Sequence, residues 1–419
     1  MLNSGSFAGF HSTLSVKHSK LALCGFRPFC AVLGAALFPV FHAGGVEAAA
    51  HHVIAHARQI LYPPPTDQHH GVLLQVVSFT ADVADNFKTV GEPHLRDLAQ
   101  GGREVLGIAR EPGGAILAAS RGSGLNRIDP ASGAIERIGA DLPDMLHAVT
   151  VSPHDPRCIY VGSEPAGIYV SCDGGAHFDQ VESVGRLNIE RKWTYPIPSI
   201  GTHIRHIVVD ADDPNLIYAA VQVGGLICST DSGKTWSVFD ETIDPDVHSV
   251  LQHPTLHDLL YVVCGGGGGE SNDPEHKSGR PIYRSKDRGK TWRCVSGDFS
   301  RTYGAPLGVV PGAHPVILAG VGRGIPPSWR KRSDRADSAL MISEDDGETW
   351  QSATSGLGPR PKMFEAIAVS PGDKHLFLGT GIDVGDPASH GEIYYASGLK
   401  GEWQRAPVML PGVAVMMCV

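Results

Sequence analysis

From about residue 70 onward, apolar residues come in short alternating runs, each broken by Gly, Pro or Asp. HAVTVSPHDPRCIYVGSEPAGIYVSCDGG (147–175) repeats the order of runs and breaks in HIVVDADDPNLIYAAVQVGGLICSTDSG (206–233). Both match VHSVLQHPTLHDLLYVVCGG (247–266) followed by PIYRSKDRG (281–289). Apolar residues at period two, bounded by turn formers, predict strands joined by tight antiparallel connections. Each unit therefore reads as a four-stranded meander. Such a sheet cannot bury both faces alone, but it does so when stacked radially against its neighbours. Three more units lie at 105–138, 307–350 and 363–405, which makes six. VLLQVVSFT (72–80), NFKTV (86–90) and the C-terminal VAVMMCV remain. Combined in one sheet, they would add a seventh blade and remove the open edges of the array. The pattern predicts an all-β chain: a β-propeller of seven four-stranded blades over 71–419, closed between its N- and C-terminal strands.

One eight-residue signature punctuates the units: SCDGGAHF (171–178), STDSGKTW (229–236), SKDRGKTW (285–292) and SEDDGETW (343–350). Its aspartates, Asp173, Asp231, Asp287 and Asp345, are 58, 56 and 58 residues apart. Regular spacing of one turn motif marks a repeated supersecondary unit. Ser and Asp side chains close tight turns onto backbone N–H groups, and Gly supplies positive φ. The Trp that follows offers a large apolar face, so Trp236, Trp292 and Trp350 are expected to be largely buried. A calcium loop is disfavoured, because the ligand spacing and terminal Glu of a twelve-residue loop are missing.

With Gly 51 and Pro 30 among 419 residues, composition agrees with many short strands and many turns. Net charge is −9, and the only basic run is Arg330-Lys331-Arg332, which argues against a nucleic-acid partner. Residues 1–50 differ from the rest. Lys17, Lys20 and Arg27 precede FCAVLGAALFPVF (29–41) and an Ala-rich exit, the layout of an export signal too short to span a membrane. The expectation is a leader at 1–50, a linker at 51–70 and a secreted or periplasmic monomer. The alternative is a cytoplasmic protein with a non-native leader. Cys158 and Cys172 fall on adjacent strands of one unit and read as buried free thiols.

The Ser-x-Asp-x-Gly-x-Thr-Trp copies resemble the BNR, or Asp-box, repeats of sialidase-like propellers. That group includes glycoside hydrolases, sorting-receptor ectodomains and photosystem assembly factors. The resemblance implies the fold, but it spans enzymes and non-enzymes alike. The sialidase Arg-Ile-Pro signature is absent near the first unit, which argues against true sialidase activity.

In such a ring, first-strand starts and second-strand ends meet at one channel mouth. The starts supply Glu104, His147, Arg205 with His206, His248 and Glu365. The ends supply Arg121, Glu164, Gln222, Arg323 and Asp383. Glycoside cleavage needs two carboxyl groups flanking the bond, for which Glu164, Glu365 and Asp383 are the candidates. Substrate contacts fall to His147, Arg205, His206, Gln222, His248 and Arg323, with Trp193 and Tyr195 in the connection 192–203 as stacking faces, and Tyr303 as a loose nucleophile candidate. No cofactor is required, though imidazoles of His147, His203, His206 and His248 on separate blades offer a divalent-metal site. The ligand is then a carbohydrate or other small anion. The competing expectation is a non-enzymatic scaffold that binds a protein partner with the same face.

Overall fold

The computed structural model describes the backbone of four strands between residues 50 and 97. It also describes residues 104–418 except 131, 198, 239–241, 267–279, 298, 371–374, 382, 387–388 and 407–411. The expected leader up to residue 49, most of the expected linker and residues 267–279, between the two matched segments of the fourth unit, lie outside the described residues.

Six four-stranded antiparallel sheets follow one another along the chain, each with its strands in chain order: blade 1 over 104–138, blade 2 over 146–180, blade 3 over 203–238, blade 4 over 247–294, blade 5 over 303–352 and blade 6 over 364–405. These are propeller blades. They number six among the described residues, where the sequence pattern predicted seven. The leftover strands do share a sheet, but it has five strands and a different order. Val415–Cys418 pairs with Ala50–His56, which pairs with Leu73–Asp82. Leu73–Asp82 is ten residues long and carries two short strands end to end on its other edge, Asn86–Thr89 and His94–Asp97. Length is the physical reason: a long strand has room for two four-residue partners. Ala50–His56 occupies the start of the segment read as linker.

Alternation explains why the second strand of each blade reads as almost continuously apolar. In Ile217–Gln222, Ile217, Ala219 and Val221 face blade 2, where they join Tyr160 and Ile168 in one core. Tyr218 and Ala220 face blade 4 and pack with Val250, Leu260 and Val262. Both faces of the strand are buried, as a stack of sheets requires. The same division recurs between blades 1 and 2 (Leu117 and Leu125 against Val149 and Ile159), blades 4 and 5 (Val263 against Ala319 and Val321) and blades 5 and 6 (Leu318 against Leu376 and Leu378). Close approach is enforced at Gly162, where an added Cβ would stand 2.6 Å from Ile204 Cβ.

At the end of each third strand in blades 2–5 stands the repeated turn. Ser229 Oγ donates to Asp231 Oδ1 at 2.8 Å and accepts from Gly233 N–H at 2.8 Å. Asp231 then accepts from Thr235 N–H and Oγ1–H at 2.8 and 2.6 Å. Asp287 and Asp345 repeat these bonds with Thr291 and Thr349. The first copy keeps the turn although it has lost the Thr, because His177 Nδ1 lies 2.9 Å from Asp173 Oδ2 and its N–H donates to Asp173 Oδ1. Two successive residues have positive φ in every copy: Ser232 and Gly233, Arg288 and Gly289, Asp346 and Gly347, and in blade 2 Gly174 and Gly175. Trp236 is buried as expected and donates to Gly233 O at 2.9 Å. Trp292 and Trp350, each one residue before the outer strand like Trp236, are only half-buried.

Among the described residues two helices interrupt the pattern, and neither was predicted. α1 (Glu182–Arg191) follows blade 2 and is stopped by Lys192 in a left-handed conformation. α2 (Pro326–Trp329) lies between the second and third strands of blade 5. Cys172 is exposed and Cys158 half-buried, with Sγ atoms 2.7 Å apart, so they are not the buried thiols expected. They flank the paired residues Ile159 and Ser171 at the outer end of two adjacent strands.

Candidate functional site

The first strand of every blade slips register near its start. In blade 2, Leu146 pairs with Ser163 and Ala148 with Gly162, so His147 is skipped. The skipped residue is Arg205 in blade 3, His248 in blade 4 and Glu365 in blade 6. In blade 1 it is Leu106, and in blade 5 Ala305-Pro306 sit in the irregular stretch. A bulged residue leaves the in/out alternation of its strand, and its side chain is re-aimed. Here bulges at equivalent places hold four of the residues expected at the mouth. His206 follows the bulge and returns to register. Its Nδ1 accepts from Val250 N–H of the next blade at 3.4 Å, and burial lowers its pKa. His206 thus sits between blades, apart from the side chains below, and drops out of the metal set.

The bulged side chains join second-strand ends in a continuous polar network across blades 1–4. His147 Nε2 lies 2.9 Å from Glu164 Oε2, Gly201 N–H donates to Glu164 Oε1 at 2.8 Å, and Arg121 approaches the same carboxylate at 3.4–3.5 Å. The His147 and His203 rings face each other with centroids 4.0 Å apart. His203 Nδ1 lies 2.9 Å from Gly201 O and its Nε2 3.0 Å from Gln222 Oε1, an oxygen to which Arg205 Nη1 donates at 2.8 Å. Gln222 Nε2 reaches His248 Nε2 at 2.9 Å and Tyr195 Oη at 3.4 Å. His248 Nδ1 donates to Gly304 O at 2.6 Å, and Asp246 Oδ1 stands 3.2 Å from its Nε2. His147, Glu164, His203, Gln222, Asp246 and His248 are all buried.

Burial, then the charge of His147 and of Arg205, holds His203 well below the usual imidazole range, and burial followed by Arg205 lowers His248. Both rings are therefore neutral at pH 7. Burial likewise raises the Tyr303 phenol, with Arg205, Asp246, Glu365 and Tyr195 close enough to act on it. Tyr303 joins two halves of the mouth: its ring lies 5.1 Å from His248 and 5.2 Å from Trp329 of α2.

On blades 5 and 6 the expected residues have other partners. Arg323 faces Asp337 at 3.4 Å and Asp334 at 3.7 Å, both from the connection that contains α2. Asp383 lies 3.5 Å from Arg335 and accepts from Gly385 N–H. Glu365 is half-buried, and a Cβ on Gly381 would stand 2.6 Å from its Oε1, which puts its carboxylate beside the chain two residues before Asp383. Trp193 packs over Gly224 and lines a separate cavity of about 390 Å³ with Arg191, Lys192, Val223 and Pro245. Sequence reasoning missed Asp246 and Gly201. Asp246 lies one residue before a first strand, outside the unit read from 247, and Gly201 acts only through its backbone.

The sequence profile described as "Sortilin, neurotensin receptor 3" matches residues 224–359. Together with the blades, that match decides the class. The chain is a β-propeller of the BNR-like superfamily. It is 24% identical over 172 residues to a xyloglucanase of Paenibacillus sp, covering 38% of this chain and 15% of that one. It is 25% identical over 199 residues to a xyloglucanase of Acetivibrio thermocellus, covering 44% and 22%. This BNR-like propeller thus spans about a fifth of the length of those relatives. Among solved structures, a GH74 enzyme of Niastella koreensis aligns with TM-score 0.53 at 14% identity, over 73% of this chain and 45% of that one. A GH74 xyloglucanase of Xanthomonas campestris aligns with TM-score 0.52 at 18% identity, over 74% and 46%. A Lactobacillus plantarum protein aligns with TM-score 0.52 at 10% identity, over 88% of this chain and all of that one. These structures share the fold. Among the described residues, no helix is long and apolar enough to cross a membrane.

Proposed function

We propose that this propeller is glycoside hydrolase-like and binds a polysaccharide across the bulged strand ends of blades 2–6, with Glu365 and Asp383 as its carboxyl pair. The observation that carries the reading is the set of bulges, which turns His147, Arg205, His248 and Glu365 out of four separate sheets. Polar side chains at one mouth, with aromatic faces such as Tyr195 beside them, suit a polyhydroxylated ligand. Similarity to xyloglucanases supports the same ligand class. Glu164 was an expected catalytic carboxyl, but it is buried and held by His147 and Gly201, so we assign it to the floor of the site and leave the bond-flanking role to Glu365 and Asp383.

Affinity electrophoresis and a reducing-end assay on xyloglucan, other β-glucans and acidic glycans test this reading. Retardation by at least one glycan with release of reducing ends is expected. Glu365→Gln and Asp383→Asn should abolish release and leave retardation in place. A second reading, a scaffold for a protein partner, draws on the internal pairing of Glu164, Asp383 and Arg323. Absence of retardation by every glycan favours it.

Two structural proposals accompany the functional one. The terminal sheet closes the ring as a seventh blade, and the propeller is exported by its leader. Support for closure comes from the last strand: Val413 and Met416 pack in the core of blade 6, whereas Val415 and Met417 pack against Val105, Ile116 and Ala118 of blade 1. Removing residues 410–419 should then lower the melting temperature by more than about 4 °C, the shift that roughly 1 kcal/mol produces in a modest domain. An unchanged melting temperature rejects closure. N-terminal sequencing of protein recovered outside the cytoplasm tests the leader.

A further inference from the structure

We infer that His147, Glu164 and His203 form a binding site for one divalent cation of the zinc type, a site that stands whether or not a polysaccharide binds above it. One imidazole nitrogen of each histidine and one Glu164 oxygen all lie within 4.8 Å of one another, and the three residues are only 5–7% exposed. Two imidazoles and a carboxylate are a zinc donor set that leaves one position for water or a ligand oxygen.

Counting protons supplies the second observation. His203 Nδ1 faces Gly201 O at 2.9 Å and its Nε2 faces Gln222 Oε1, so the single proton of a neutral ring leaves one nitrogen opposed to an oxygen, and with the proton on Nδ1 that nitrogen is Nε2. The lone pair of Nε2 then points at Gln222 Oε1 3.0 Å away, and that oxygen already accepts from Arg205. A lone pair opposed to a carbonyl oxygen in a buried site is an acceptor with no donor, an unfavourable arrangement that a cation converts into a bond. His248 shows the contrast. Its Nδ1–H also donates to a carbonyl, that of Gly304, but its Nε2 receives Gln222 N–H at 2.9 Å. His203 lacks such a donor.

The surroundings are those of ligands held in place. Histidine ligands usually donate their other N–H to a backbone carbonyl or carboxylate, which fixes ring and tautomer. Gly201 does this for His203 through its carbonyl and anchors Glu164 through its N–H, so one residue orients two donors. The proton shared between His147 Nε2 and Glu164 Oε2 leaves when the ion takes its place. Arg121, at 3.4–3.5 Å, makes a long contact with the carboxylate that the ion displaces.

The test is a Co(II) titration of the full chain after removal of metal with a chelator, followed by visible absorption and elemental analysis, with Zn(II) as competitor. Expected are one Co(II) per chain, ligand-field bands without thiolate charge transfer, and displacement by Zn(II). His203→Ala and His147→Ala should each weaken binding by more than about 100-fold, beyond the ~10–100-fold loss typical of outer partners. His206→Ala should leave binding unchanged. Circular dichroism checks folding, and Glu164→Gln, nearly isosteric, replaces any alanine variant that fails to fold. No stoichiometric Co(II), a thiolate band, or binding indifferent to both His203→Ala and Glu164→Gln overturns the site.

Discussion

The two rims of the blades follow opposite rules. At the rim of the repeated turns, blades 2–5 use the same Ser and Asp hydrogen bonds in the same places, and where Thr is lost His177 supplies an equivalent donor. At the bulged rim, equivalent positions hold Leu106, His147, Arg205, His248 and Glu365, four residue types across five blades. Every blade must close its outer strand onto its third, so that requirement repeats. A bulged side chain leaves the packed alternation of its strand, and it meets groups that differ from blade to blade, such as the His203 ring for His147 and Gly304 O for His248. Repetition along this chain therefore marks stability, and under the proposed function divergence at an equivalent position marks specificity. Histidines register the difference. At the turn rim, His177 and His257 are raised by the aspartates they bond, Asp173 and Asp212, whereas burial lowers His203 and His248 at the mouth.

Trp236→Ala should break this division most severely if it is wrong. It removes a buried indole from the core between blades 2 and 3, and a cost of about 3–5 kcal/mol is expected in denaturant unfolding. Trp292→Ala and Trp350→Ala, half-buried, should cost roughly half of that. In each, the folded fraction should retain glycan binding. Next comes Asp231→Ala, expected to cost about 1–2 kcal/mol through the Thr235 and Ser229 hydrogen bonds and again to spare binding. Loss of binding by a well-folded Asp231→Ala would put function at the wrong rim. Arg205→Ala reverses the pattern: a stability cost of only about 1 kcal/mol, from the lost Gln222 hydrogen bond, but glycan affinity down about tenfold or more.

Finer tests act on the turn rim alone. His177→Thr restores the repeat and should leave stability within about 0.5 kcal/mol of the parent, because one donor to Asp173 replaces another. Proton NMR should show His257 titrating above the ordinary value of about 6.5. With its folded pKa raised, His257 contributes stability that is fully present below the unfolded pKa and lost as pH rises through the folded one. Its partner Asp212, lowered first by the His257 hydrogen bond, adds stability above its own unfolded pKa that is lost as pH falls through the folded one. A His257 pKa at or below 6.5 would remove the electrostatic half of the comparison.

Much of the fold was legible because it rests on local rules that recur. Alternation named the strands, and the turn signature fixed the unit length. Legibility failed where a feature has no local repeat. α1 has no strong amphipathic pattern, and the pairing of Val415–Cys418 with Ala50–His56 joins segments more than three hundred residues apart. At the mouth, the sequence identified strand starts and ends as the relevant places and named most residues of the network. It could not distinguish Arg205 from its neighbour His206, because one bulge in the pairing with Ile217–Gln222 decides which side chain faces the mouth. Nor could it assign Glu164 to a buried floor, since that follows from the positions of His147 on the adjacent strand and Gly201 in a connection after α1. Sequence by itself determined the blade, because strand period and turn chemistry act over a few residues. Tertiary structure decided the site, because register and convergence depend on pairing between distant segments.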